Sequence, residues 1–176
     1  MRKVIINKCM NLIKNNSPEL DQVKLDEVEY GLISIYILIT KLIVIFILAS
    51  VIGIFKEVLI FSVIYSIIRT PSFGIHASKS WICLIVSSIL FLGIPYICLT
   101  TNMSLELKFL LGSIGTIFIF KNSPADTHKR PIVNPTRRKV YKGISTLIAI
   151  SFTLIAIRIN NEFVSNCLIL ALITQC

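Results

Sequence analysis

Histidine is scarce in this chain: His76 and His128 are the only two among 176 residues. Cys83 stands seven positions after His76. A cysteine nucleophile needs its thiolate form and a proton acceptor within hydrogen-bond reach. An imidazole accepts a proton near neutral pH, so His76 is the candidate base and Cys83 the candidate nucleophile. Ser78 or Ser80 can cap a helix that begins near Trp81. With Ser80 as the cap, Cys83 is the third helical position. There the helix dipole and the free backbone N–H groups favour a thiolate and can hold a developing oxyanion. The spacing also imposes a constraint. On one straight helix the two residues would be separated by about 10.5 Å of rise, whereas a nucleophile–base pair needs about 3 Å. The segment must therefore fold back, and Pro71 and Gly74 supply residues suited to a folded loop. On spacing alone, a structural thiol beside a loop imidazole is the default reading.

The remaining cysteines, Cys9, Cys98, Cys167 and Cys176, are scattered and form no CxxC pair. That pattern argues against a zinc site and against a disulfide-stapled secreted domain. They are expected to pack as small hydrophobes. Thiol chemistry of this kind calls for no metal and no cofactor.

The elements that must position these residues are apolar. Hydrophobic residues make up 55% of the chain and charged residues only 15%. A soluble domain of this size needs a polar shell, and this composition supplies one poorly. A bilayer removes that need. The expected fold is an all-α, polytopic membrane bundle of about six transmembrane or re-entrant helices. Residues 1–29 read as a cytoplasmic or interfacial amphipathic segment and residues 30–176 as the membrane-embedded domain. Within the first, Val4, Ile5, Cys9, Leu12 and Ile13 fall at helical spacing among basic residues, with a soluble lid as the alternative. Ser17 and Pro18 read as a helix start. No cleavable signal peptide is expected at the start, because the apolar run of residues 4–6 is too short.

Residues 30–55 carry only Lys41 as a charge, which can snorkel or face the bundle interior. Lys56 and Glu57 read as a tight polar break. Residues 58–68 are apolar but reach only about 17 Å, so that run is either extended by its neighbours or re-entrant. Residues 69–80 read as a polar loop. Residues 81–100 are the clearest crossing, with Trp81 at an interfacial position. Residues 103–120 form the next. Residues 143–157 and 163–176 form a closing hairpin.

Between the runs of residues 103–120 and 143–157 lies a basic stretch. Lys121, Lys129, Arg130, Arg137, Arg138, Lys139 and Lys142 stand there against one acid, Asp126. Between apolar runs such a cluster reads as a cytoplasmic loop rather than a nucleic-acid surface. Alternation then places the 69–80 loop, and with it His76, on the cytoplasmic side as well. Six crossings put both termini there too.

Two stretches resemble a known family. Residues 69–83, RTPSFGIHASKSWIC, are similar to the AgrB family signature: an Arg, then Gly-x-His-Ala, then Cys seven after the His. Residues 123–132, SPADTHKRPI, resemble that family's Pro-Ala-Asp loop and its basic continuation. The order of the blocks and the apolar context agree over most of the chain, although only these two blocks are specific. The resemblance implies a bacterial cell-membrane cysteine endopeptidase of peptide quorum sensing, multi-pass, with its site at the cytoplasmic face. Its partner would be an AgrD-like signal-peptide precursor, cut through a thioester and cyclised to a thiolactone or lactone autoinducing peptide. By that resemblance Cys83 is the nucleophile and His76 the base, while Arg69 and Gly74 occupy further motif positions. Asp126 is a candidate orienter for His76 on sidedness alone, or else caps its own loop. Lys129 and Arg130 would draw the precursor's acidic C-terminal region, or serve topology and contact with anionic lipid. A homodimer is implied as well. Two rivals remain: a plain membrane protease releasing linear products, and a non-enzymatic transporter or scaffold that binds a peptide partner.

Overall fold

A computed structural model of the chain describes residues 2–16, 21–72, 80–125 and 135–175. They form seven helices and no strands: α1 (Arg2–Asn16), α2 (Gln22–Ile52), α3 (Phe55–Ser72), α4 (Ser80–Thr100), α5 (Leu105–Asn122), α6 (Pro135–Arg158) and α7 (Glu162–Gln175). The all-helical expectation holds for these residues. The chain divides into two compact units, Met1–Ile47 and Leu48–Cys176, with the boundary inside α2.

In the first unit α1 packs on the start of α2. Ile6, Met10 and Leu25 are buried, with Ile13, Val28, Leu32 and Ile33 around them. The buried stripe therefore runs through residues 6, 10 and 13. Ile5 and Leu12, expected on the apolar face, are 47% and 57% exposed. The reason is geometric: residues at i, i+4 and i+7 share one line on a helix, and Leu25, Val28 and Leu32 offer a matching line on α2. The helix start expected at Ser17 and Pro18 lies outside the described residues. α2 begins instead at Gln22, whose N–H donates to Asp21 Oδ1 (2.7 Å) while the Asp21 carbonyl accepts from Leu25 (3.0 Å). Asp21 is thus the N-cap.

The break after α2 is also displaced from its expected place. Lys56 and Glu57 lie in the first turn of α3, and the chain turns at Gly53, which has φ +82°. Gly53 N–H donates to the Ser50 carbonyl (3.2 Å) and Ile54 N–H to the Ala49 carbonyl (3.0 Å). This pair of bonds is a Schellman ending, and it needs a left-handed residue that glycine adopts without a Cβ penalty. The short apolar run of residues 58–68 is extended by its neighbours. α3 has 18 residues, or about 27 Å.

The second unit is a bundle of α3 to α7. Its core holds Phe61, Ile68, Cys98, Ile119, Ala149, Cys167, Ile169 and Leu172. The burial of Cys98 and Cys167 agrees with their reading as small hydrophobes. Small residues allow close packing at the α5–α6–α7 seam. A Cβ on Gly112 would meet Thr153 Cγ2 at 2.5 Å, and one on Gly115 would meet Leu172 Cβ at 3.3 Å.

Two helical stretches among the described residues are long and apolar enough to cross a bilayer: Lys24–Ile52 and Pro135–Arg158. Large apolar side chains also face outward, among them Val51, Ile89 and Leu147 at 80%, 66% and 65% exposure. A water-soluble surface does not carry apolar area on this scale, so the chain is membrane-associated.

Candidate functional site

Side-chain contacts fix the direction of each helix in the bundle. Lys108 at the start of α5 meets Glu162 at the start of α7, with Nζ to Oε2 at 2.5 Å. Arg69 at the end of α3 meets Gln175 at the end of α7. Thus α3, α5 and α7 run parallel. Asn166, near the start of α7, donates through Nδ2 to the Thr101 carbonyl just past the end of α4 (2.7 Å). Ser123, at the end of α5, bonds Ser145 in the first half of α6 (Oγ to Oγ 2.7 Å). Consequently α4 and α6 run the opposite way. One end of the bundle therefore gathers the ends of α3, α5 and α7 with the starts of α4 and α6.

Both sequence blocks lead to that end. The expected 69–80 loop starts later than its polarity suggested, because α3 continues through Arg69 to Ser72 and includes Pro71. Pro71 lacks an N–H, but in the last turn it forgoes only one intrahelical bond, and Thr70 Oγ1 is satisfied by the Ser66 carbonyl (2.8 Å). The Ser72 carbonyl then accepts a hydrogen bond from Ala125 N–H at 3.0 Å. This backbone bond ties the end of the first block's helix to the Pro-Ala-Asp block, 53 residues away in sequence. Ser123 and Pro124, which lead into Ala125, are buried, and the Ser123–Pro124 peptide is cis.

Arg69 is half-buried. Its Nη1 donates to the Tyr65 hydroxyl (2.9 Å) and to Gln175 Oε1 (3.4 Å), and its guanidinium lies 5.6 Å from the Tyr65 ring centroid. Cys83 is the fourth residue of α4, since the helix already includes Ser80. That removes Ser80 from the capping position but leaves Cys83 in the first turn, where the helix dipole acts. His76, Gly74, Asp126, His128, Lys129 and Arg130 lie outside the described residues, as does Ser78.

The basic stretch is only partly a loop. Lys121 belongs to the last turn of α5, and Arg137, Arg138, Lys139 and Lys142 belong to α6. The helix starts at Pro135, a position where the missing N–H costs no hydrogen bond and the fixed φ suits a first turn. Arg137, Arg138 and Lys139 are exposed there, and Lys142 Nζ sits 4.7 Å from the Phe120 ring centroid. Lys121, Arg137, Arg138, Lys139 and Lys142 thus lie at the same end of the bundle, held on helices.

Several residues here went unnoticed in the sequence. Ser72 and Ser123 lie inside the two motif blocks, so their positions could have been flagged. Tyr65 and Gln175 carry no local signal. Lys108 is buried at the opposite end, with 5% of its side chain exposed. Among the described residues no cluster of His, Cys, Asp or Glu is suited to a metal.

The family described as Accessory gene regulator B (AgrB) matches residues 6–176. An accessory gene regulator protein B from Staphylococcus carnosus (strain TM300) is 31% identical over 159 residues, covering 88% of this chain and 81% of that protein. The protein of the same name from Staphylococcus aureus (strain Newman) is 30% identical over 147 residues, covering 82% and 76%. An AgrB-like protein from Clostridium acetobutylicum is 26% identical over 167 residues, covering 93% and 78%. No solved structure matches the chain.

Proposed function

The chain belongs to the accessory gene regulator B family, and from that premise we propose that it is a membrane cysteine endopeptidase that processes an AgrD-like peptide-signal precursor. The observation that carries the reading is the Ala125–Ser72 backbone bond at the end of the bundle where α4 begins. It ties Ala125 to Ser72, the last residue of α3 and four positions before His76 in the sequence, and Cys83 stands in the first turn of α4.

In this mechanism the Cys83 thiolate attacks the scissile carbonyl of the precursor, and the thiol proton passes to His76. Charge develops on the carbonyl oxygen, and the backbone N–H groups of the α4 first turn stabilise it. Collapse of the tetrahedral intermediate breaks the C–N bond. His76 returns the proton to the departing amine, and a thioester to Cys83 remains. A thiol or hydroxyl within the precursor then attacks the thioester. This closes a thiolactone or lactone ring and releases Cys83. Partial exclusion of water at the membrane interface favours that internal attack over hydrolysis.

The presence of six helices, α2 to α7, supports a reading of about six transmembrane or re-entrant elements, and the alternating directions of α3 to α7 support a multi-pass chain. The basic residues at the site end support a cytoplasmic face for it under the positive-inside rule. Lys129 and Arg130 then serve substrate capture.

Purified protein in liposomes, given precursor, tests the reading. Cys83→Ala and His76→Ala should each abolish cleavage while the protein still inserts. Substantial cleavage by Cys83→Ala would overturn the assignment of the nucleophile. Product mass separates cyclisation from hydrolysis, because the ring is one water lighter than the linear fragment.

A further inference from the structure

The chain leaves α5 at Ser123, whose φ of −85° and ψ of 147° are extended. Two residues further on, the Ala125 N–H meets the Ser72 carbonyl at the end of α3 (3.0 Å). An extended residue spans at most about 3.6 Å, so a shift of Ser123 passes almost undiminished to Ala125. Pro124 between them stiffens the link, because its ring fixes φ. Ser123 itself is held twice. Its N–H donates to the Ile119 carbonyl of its own helix (2.8 Å), and its hydroxyl bonds the Ser145 hydroxyl of α6 (2.7 Å). Proton count sets the direction. The Ser145 hydroxyl donates to the Lys142 carbonyl (3.1 Å), so its oxygen is left to accept from Ser123. Lys142 also lies over the Phe120 ring of α5, with Nζ 4.7 Å from the centroid, which clamps the acceptor end of this relay to the same turn. Ser145 is fully buried and Ser123 is 8% exposed. A matched apolar pair would pack α5 on α6 about as well, since replacing both partners of a buried hydrogen bond is nearly neutral. What the hydroxyls add is direction: a satisfied buried network rigidifies one arrangement.

We infer that Ser145 is a positioning residue for the proposed reaction. It stands outside both motif blocks, on a helix that contributes no group to the proposed chemistry. Through Ser123 it fixes the segment that carries Ala125 to Ser72, and so ties the start of the Pro-Ala-Asp block and the end of α3 to the frame of α5 and α6. Its effect on the reaction is indirect. The role in catalysis rests on the peptidase reading above, whereas the hold on Ala125 rests on these hydrogen bonds alone.

Hydrogen exchange at the Ala125 amide reads that hold directly, by NMR of the full chain carrying isotopically labelled alanine in detergent micelles. Ala149 and Ala156, buried on α6, serve as internal references for the bundle. Ser145→Thr and Ser145→Val have the same shape and differ in the hydroxyl, so the pair separates hydrogen bonding from packing. In Ser145→Val, Ala125 should exchange roughly 2- to 10-fold faster relative to the references, the range for one hydrogen bond. Ser145→Thr should keep most of the wild-type protection. Ser123→Ala removes the donor and should match Ser145→Val, so the test survives if an α6 variant fails to fold. Precursor cleavage in liposomes is the second readout: kcat should fall by a comparable factor in Ser145→Val with KM unchanged, and Ser145→Thr should retain it. Equal Ala125 protection in Ser145→Thr and Ser145→Val would overturn the proposal, and so would wild-type protection in Ser123→Ala. Loss of protection at all three alanines together would overturn it as well, since general loosening of the bundle produces that pattern. Selective loss at Ala125 with an unchanged kcat would overturn the role in the reaction. Wild-type protein that cuts nothing removes the peptidase reading, and with it the catalytic role, while the exchange arms judge the hold on Ala125 by themselves.

Discussion

Gly112→Ala places a methyl group into the close-packed seam between α5, α6 and α7. In an open helix this substitution stabilises by about 0.5–1 kcal/mol, because glycine has more backbone freedom to lose. Here the new Cβ would lie 2.5 Å from Thr153 Cγ2, 2.8 Å from Thr153 Oγ1 and 3.2 Å from Ile169 Cδ1. An ordinary carbon–carbon contact is about 3.5–4.0 Å, so the first overlap exceeds 1 Å by roughly that comparison. Thr153 cannot simply swing aside. It is buried, and its hydroxyl donates to the Ala149 carbonyl (3.0 Å) and lies 3.4 Å from Thr116 Oγ1. Overpacking of this kind costs about 1–3 kcal/mol, which outweighs the helix-propensity gain. The expected net loss is about 1–2 kcal/mol. Gly93 is the control: a Cβ there meets nothing within 4 Å, so Gly93→Ala should be neutral or stabilising by up to about 1 kcal/mol. Unfolding in mixed micelles by added dodecyl sulfate, followed by far-UV circular dichroism, measures both. The double variant Gly112→Ala/Thr153→Ala removes the clashing atoms and should recover stability, with a coupling of about 1 kcal/mol or more. If Gly112→Ala matched Gly93→Ala, or if the double variant were strictly additive, the close-packed seam would be refuted.

Three further outcomes are expected. In a variant keeping Cys83 as its sole cysteine, alkylation should already be fast below pH 8, because the first turn of α4 stabilises the thiolate; a rate that rises only near the ordinary thiol range of about 8.5 would contradict the helix-dipole argument. Glu162→Gln should destabilise the chain more than Lys108→Met in the same micelle assay, by about 1–3 kcal/mol, because it strands the buried Lys108 ammonium while Lys108→Met removes the charge altogether; the reverse order would mean that Lys108 is solvated after all. Neutralising Lys129 and Arg130 together should raise KM for an acidic precursor, with an effect that shrinks as salt rises, since exposed charges act over roughly 8 Å at physiological ionic strength; a loss confined to kcat and indifferent to salt would instead place these residues near the reacting carbonyl.

Much of the helix layout was legible because it is written locally. An apolar run long enough for the bilayer declares a helix, whereas the Ser104 cap of α5, equally local, was not read. The break at Gly53 was equally local but was assigned to Lys56 and Glu57, since charge was weighed above the one residue free to take a positive φ. The basic stretch was read as one loop because charge density says nothing about backbone conformation, whereas Pro135 at a helix start does. Along α1 the apolar residues outnumber those a single partner can cover, so periodicity offered two stripes and α2 selected one.

The sequence by itself determined the all-helical, bilayer-suited character of the chain and the two motif blocks that mark its family. It also named the residues able to do thiol chemistry, because residue type and short spacing carry those facts. Only the tertiary structure decided which blocks meet. Ala125 reaches Ser72, Arg69 reaches Gln175 and Lys108 reaches Glu162. Each contact joins parts of the chain far apart in sequence. No local pattern encodes such a choice, since the packing of whole helix faces sets which distant residues come within hydrogen-bond range.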